Sequence, residues 1–126
     1  MTKNIMVVDD AFFMRKVLKE ILKKGGYEVV AQVDNGVKGV QTYKEFFGDE
    51  NKKIDLVLMD ITMPEMDGIT ALKKIMEFDR NAKVVMCTAL NMQDKVVLSA
   101  KMGAKDFIVK PFNAQIVLEK VNNCFK

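Results

Sequence analysis

The chain has 126 residues, 49% of them hydrophobic, which is enough for one compact domain with a sizeable core and leaves no room for a second. Its net charge of +3 is a small excess of 20 basic over 17 acidic residues, and scattered lysines with only Arg15 and Arg80 as arginines read as a solubilising surface, not a nucleic-acid footprint. The lack of histidine excludes histidine triads, zinc–histidine sites and phosphohistidine carriers; no apolar run approaches the roughly 20 residues that span a bilayer, and Cys87 and Cys124, without a CxxC pattern or signal segment, suit a reducing cytoplasm.

From the N-terminus, the apolar run Asn4–Val8 reads as a strand, and Asp9 and Asp10 follow it directly. Phe12–Lys24 has helical apolar spacing and is stopped by Gly25-Gly26. Glu28–Val33 is a second strand, and Val37–Phe47 a second helix followed by Gly48. Ile54–Met59 is a third strand that runs into Asp60, with a helix at Ile69–Phe78. Lys83–Cys87 runs into Thr88, and the helix after it, Met92–Lys101, ends at Met102-Gly103, a left-handed stop. Asp106–Val109 runs into Lys110, and Asn113 is an N-cap for the last helix, Ala114–Asn123. Strands apolar throughout suit a parallel sheet buried on both faces, and their alternation with helices predicts a doubly wound α/β fold over a single domain, residues 1–126.

The polar residues that end the apolar runs occupy corresponding points of different units. In a parallel sheet Asp9, Asp10, Asp60, Thr88 and Lys110 converge on the carboxyl-terminal edge, where open α/β sheets bind ligands. Packed carboxylates repel one another, so a bound cation is the economical explanation, and an all-oxygen set favours magnesium, manganese or calcium over zinc or copper. A lysine and a hydroxyl beside such an ion complete a phosphoryl cradle, and one carboxylate can then act as nucleophile to form an acyl phosphate. Singly, Asp10 reads as an N-cap, Asp60 as loop chemistry, Thr88 as a strand terminator and Lys110 as a solvated charge; their joint arrival at one edge favours a site. Cys87 and the ten methionines read as packing, with Met6, Met59 and Met86 in the strand core.

The stretches IMVVDDAFFMRK, LVLMDITMPEMDGI, VVMCTAL and GAKDFIVKPF resemble those of bacterial response-regulator receiver domains, especially the chemotaxis members, and the resemblance runs from end to end. It implies a flavodoxin-like five-stranded sheet of order 2-1-3-4-5, an order that belongs to that fold and is not read from these residues. It also implies phosphorylation of Asp60 by a histidine kinase, magnesium held by Asp9, Asp10, Asp60 and the Thr62 backbone carbonyl, and contacts from Thr88 and Lys110 to the phosphoryl group. A cis Lys110-Pro111 bond belongs to the same pattern. So do a kinase of CheA type, a flagellar motor switch protein as target, a possible phosphatase, and a monomer that enters no membrane.

Two departures qualify the resemblance. Phe107 stands at the aromatic switch position, where many chemotaxis members carry tyrosine, so a hydroxyl is missing there. The segment from Gly48 to Lys53 is longer and more charged than the usual link and reads as a surface insertion. A flavodoxin-type electron carrier is disfavoured by two aspartates where its flavin phosphate would bind, and a haloacid-dehalogenase-type phosphatase by Thr62 where a second acid belongs. A phosphorelay intermediate and a receiver cut from a transcription factor are the alternatives, the chain's end at the last helix favouring a standalone signal protein. Output is expected through the face built from the fourth helix, fifth strand and fifth helix, with Thr88 and Phe107 as the switch. On the last helix Val117 and Val121, one turn apart beside Lys120, are either an apolar seam for a partner or core.

Overall fold

The computed structural model describes residues 2–126. Five strands alternate with five helices: β1 (Asn4–Val8), α1 (Phe12–Lys24), β2 (Glu28–Val33), α2 (Gly36–Phe46), β3 (Leu56–Asp60), α3 (Gly68–Phe78), β4 (Val84–Thr88), α4 (Gln93–Lys101), β5 (Asp106–Val109) and α5 (Ala114–Asn123). All pairings are parallel and the sheet order is β2-β1-β3-β4-β5, so the doubly wound, flavodoxin-like expectation holds. The central strands β1, β3 and β4 must sit between two helical layers because between their first and last residues neither face offers water a polar side chain.

Alternation along each strand sorts the core into two halves. Met6, Val8, Val57, Met59, Val84 and Met86 pack with Val40 and Tyr43 of α2 and with Ile69, Leu72 and Ile75 of α3. Ile5, Val7, Leu56, Leu58, Val85 and Cys87 pack with Leu18 and Leu22 of α1 and with Val117 and Val121 of α5. Val117 and Val121 are completely buried, so the outward seam is ruled out; Ile116 is the large hydrophobic residue that α5 leaves exposed. Truncating a fully buried side chain such as Leu72 to alanine costs about 2–5 kcal/mol, the range set by how far the site collapses.

Helix ends follow the local chemistry. Asn35, Asp67 and Asn113 each accept a backbone N–H from the first turn of α2, α3 and α5, at 2.9, 2.8 and 2.9 Å. Gly26 and Gly103, just past α1 and α4, adopt positive φ angles of 90° and 107°, which a side chain would resist. The strands β3 and β4 lie two and one residues further along at their start than the apolar runs suggest, and include Asp60 and Thr88, because the ladder pairs Asp60 with Cys87 and Thr88 with Val109. Asn35 capping brings α2 forward to Gly36. Among the described residues no helix is long and apolar enough to cross a membrane.

Candidate functional site

The carboxyl ends of β1, β3, β4 and β5 deliver Asp9, Asp60, Thr88 and Lys110 to one edge, as their positions in the sequence imply. Asp9 follows β1 and is 1% exposed; its amide donates to the Val33 carbonyl at 3.1 Å, which ties the strand end to β2. One oxygen of its carboxylate accepts the Ala11 N–H at 2.9 Å, and the other accepts Lys110 Nζ at 3.2 Å. Asp9 thus takes the free amide ahead of α1, whose N-cap is Ala11 without a side-chain bond. The N-cap reading of Asp10 is corrected here: its carboxylate stands exposed at the mouth of the edge.

Asp60, the last residue of β3, is buried, and Lys110 Nζ stands 3.4 Å from its Oδ1. The ammonium therefore bridges two buried carboxylates. Burial pushes the Asp60 carboxyl up to about 6 and the Asp9 charge adds to the rise, while Lys110 and the Thr62 backbone N–H pull it back. Lys110 itself is held above its ordinary value: burial works against the charged form, but Asp60 and Asp9 outweigh it. The bond from Lys110 to Pro111 is cis. Beneath the site, burial pushes the Cys87 thiol up to about 12, so it stays protonated and behaves as packing.

Three carboxylate oxygens, from Asp9, Asp10 and Asp60, lie within 4.8 Å of one another. Oxygens on a six-coordinate magnesium ion are about 3 Å apart when adjacent and about 4 Å when opposite, so small side-chain rotations bring the three onto one ion. The donors are hard oxygens with no histidine or ionised thiol, which fits magnesium, and the exposed side of Asp10 leaves room for water and a phosphoryl oxygen.

Thr88 ends β4 almost fully buried, with its hydroxyl donating to the Ala89 carbonyl at 3.1 Å, so it is near the cradle with its proton engaged elsewhere. Phe107 pairs with Met86 across β4 and β5, and its half-buried ring packs against the α2 and α3 side of the core. A cavity of about 340 Å³, lined by Thr88, Leu90, Met92, Val97 and Phe107 among others, connects the two residues. Thr62 lies just beyond β3 on the exposed rim.

A residue that strand-end reasoning misses is Arg15. Its guanidinium donates to the Asp9 carbonyl at 2.7 Å, bracing the turn that carries both aspartates. Its amide donates to the Ala11 carbonyl in the first turn of α1 while its side chain turns back to Asp9, a contact that the apolar pattern does not mark.

The model of the response regulator receiver domain matches residues 5–122 of this chain. The chemotaxis protein CheY of Bacillus subtilis is 53% identical over 122 residues, covering 97% of each chain. That of Thermotoga maritima is 50% identical over 126 residues, covering all of both. Among solved structures, the CheX–CheY complex with beryllofluoride and magnesium from Borrelia burgdorferi superposes with a TM-score of 0.92 at 41% identity, covering 98% of this chain and 90% of that one.

Proposed function

The chain belongs to the response regulator receiver domain family, as a CheY-like member of a two-component system of the chemotaxis type, and from that footing we propose that Asp60 is the residue that accepts the phosphoryl group. The observation that carries the proposal is the pairing of Asp60 and Asp9 through one ammonium, with a third carboxylate within 4.8 Å. Such a cluster holds a carboxylate nucleophile, a site for a divalent cation and a positive charge for the incoming phosphate at a single point.

Asp9, Asp10 and Asp60, with the Thr62 carbonyl, would hold magnesium, which would supply neutralisation of charge on the transferring group. The Asp60 carboxylate oxygen forms the new bond to phosphorus as the bond to the donor, a kinase histidine nitrogen or the acyl oxygen of a small acyl phosphate, breaks. Lys110 moves from its two carboxylate partners to a phosphoryl oxygen. Thr88 releases the Ala89 carbonyl and donates to another. Later attack of water on the acyl phosphate returns Asp60 to its free state.

Moving Thr88 draws on β4 and the start of α4, and the cavity beside it gives the Phe107 ring a second place to pack. The α4–β5–α5 face is thus the output surface, where Val97, Leu98, Val109 and Ile116 are already exposed. A cytoplasmic protein of one domain, monomeric, fits this reading, with a CheA-type kinase as donor, a flagellar motor switch protein as target and a phosphatase to shorten the signal. The Borrelia complex of CheX and CheY with beryllofluoride and magnesium supports the cation and a protein partner. Intact-mass spectrometry after incubation with acetyl phosphate and magnesium tests the acceptor. The parent should gain one phosphoryl mass and Asp60→Asn should gain none; equal gain by both would overturn the assignment.

A further inference from the structure

The loop 61–67 joins the proposed acceptor to α3 and carries Thr62, so its shape decides how the Thr62 backbone meets the Asp60 carboxylate. Two glycines stand against its backbone at points where a side chain would not fit. At its base the Gly68 N–H donates to the Ile61 carbonyl at 2.7 Å, closing the loop. A Cβ on Gly68 would overlap the Asp60 carbonyl oxygen and lie 2.9 Å from both the Asp60 carbonyl carbon and the Ile61 Cα. The atoms in the way are backbone, so relief requires moving the peptide that bears the acceptor itself. At the far end, a Cβ on Gly36, the first residue of α2, would lie 2.5 Å from the Met66 carbonyl oxygen and 3.1 Å from its Cβ.

Between these contacts Glu65 is held at a φ of 65°, and the Met66 N–H donates to the Pro64 carbonyl at 2.7 Å. That is a γ-turn with positive φ at its centre, the rare and strained hand. A residue with a side chain keeps such a backbone only where its surroundings over-determine it, and strain of this kind gathers at functional sites. Here the surroundings are Gly68 at one end of the loop and Gly36 at the other. At both points the loop backbone comes closer than a residue with a Cβ would allow, so the approach depends on glycine.

We propose that Gly36 and Gly68 are positioning residues that clamp the 61–67 loop, fixing the Thr62 backbone and the Asp60 carboxylate in one geometry for the cation and the phosphoryl group. The proposal rests on the reading of Asp60, Asp9 and Asp10 given above. Neither glycine touches a ligand; each acts through the backbone of the loop that carries Thr62. A glycine to alanine change at either position adds one uncharged methyl group and removes no ligand, so altered cation binding in a folded variant reports the loop.

The experiment compares Gly68→Ala and Gly36→Ala with the parent and with Gly48→Ala, whose added Cβ would meet nothing within 4 Å. Each is melted without metal, titrated with magnesium by calorimetry well below its melting temperature, and treated with acetyl phosphate and magnesium for intact mass. Folded Gly68→Ala should bind magnesium roughly 10- to 100-fold more weakly, the loss seen when the supports of metal ligands are removed, and take up phosphoryl correspondingly more slowly. Gly36→Ala should move in the same direction, and Gly48→Ala should match the parent. If Gly68→Ala does not fold, Gly36→Ala decides by the same criterion. Parental magnesium affinity in either folded alanine variant at the clamp overturns the proposal, as does failure of both to fold, which would make the glycines requirements of the fold alone. A parent that neither binds magnesium nor gains mass would instead overturn the reading of the site, and the clamp with it.

Discussion

Replacing Asp60 with asparagine removes a charge that the metal-free fold holds at a disadvantage. The carboxyl goes from an ordinary 3.8 to about 6 in the folded chain, chiefly through burial. At about 1.4 kcal/mol per tenfold the ionised group would destabilise the fold by about 3 kcal/mol, and we halve this to about 1.5 kcal/mol because the site opens to solvent. The folded state binds the Asp60 proton more tightly than the unfolded state, so the stability from that proton is complete below 3.8 and lost as pH rises to about 6. Asparagine, uncharged at every pH and nearly the same shape, loses nothing over that window. In buffer with a chelator, the melting temperature of Asp60→Asn should exceed the parent's by about 5 °C at neutral pH, with the gap shrinking as pH falls toward 4. Added magnesium should narrow or reverse the gap, because only the parent keeps all three carboxylates. A gap that is independent of pH, or a variant less stable than the parent at neutral pH, would refute the view that Asp60 is the strained member of the cluster.

Magnesium at one hundred times its dissociation constant should stabilise the parent by about 2.7 kcal/mol, and Asp10→Ala should lose most of that gain; scanning calorimetry with and without the ion measures both. Leu90, exposed at the mouth and two residues past Thr88, offers an attacking water no partner, so Leu90→Glu and Leu90→Gln should each shorten the phosphorylated lifetime, followed by loss of the phosphoryl mass after donor removal. Lifetimes equal to the parent's would make Leu90 a bystander. Phe107→Ala should leave phosphoryl uptake near the parental level while shrinking the beryllofluoride-induced amide shifts of α4 and β5, measured by NMR; equal loss of both would place the ring in support of the site itself.

The architecture was readable because IMVV, LVLM and VVMC are apolar at every position, which only strands covered on both faces tolerate. Their ends were harder to place. A strand stops where its ladder stops, and the ladder carries Asp60 and Thr88 one step beyond the apolar run. Spacing alone left Val117 and Val121 open between seam and core, because it gives the face of a helix but not which neighbour covers it; α5 docks with that face against Ile5, Val7 and Ile108. The convergence of Asp9, Asp10, Asp60 and Lys110 followed from parallel topology. The division of labour within it did not: that Asp9 caps the turn, that Lys110 spans both buried carboxylates and that Thr88 is turned to the Ala89 carbonyl depend on contacts between distant elements. Gly68 and Gly36 fell one residue outside the helices expected from the sequence, since a close approach of backbone to backbone leaves no mark on hydrophobic pattern.

The central claim is that the acyl phosphate forms on Asp60 and on no neighbouring carboxylate. Borohydride reduces an acyl phosphate to the alcohol, turning the labelled aspartate into homoserine, so peptide mass mapping after treatment with acetyl phosphate and magnesium reads the position directly. Homoserine at position 60, present with magnesium and absent when magnesium is chelated, is the expected result. Homoserine at position 9 or 10, or no reduction product in a chain that has gained phosphoryl mass, would contradict it.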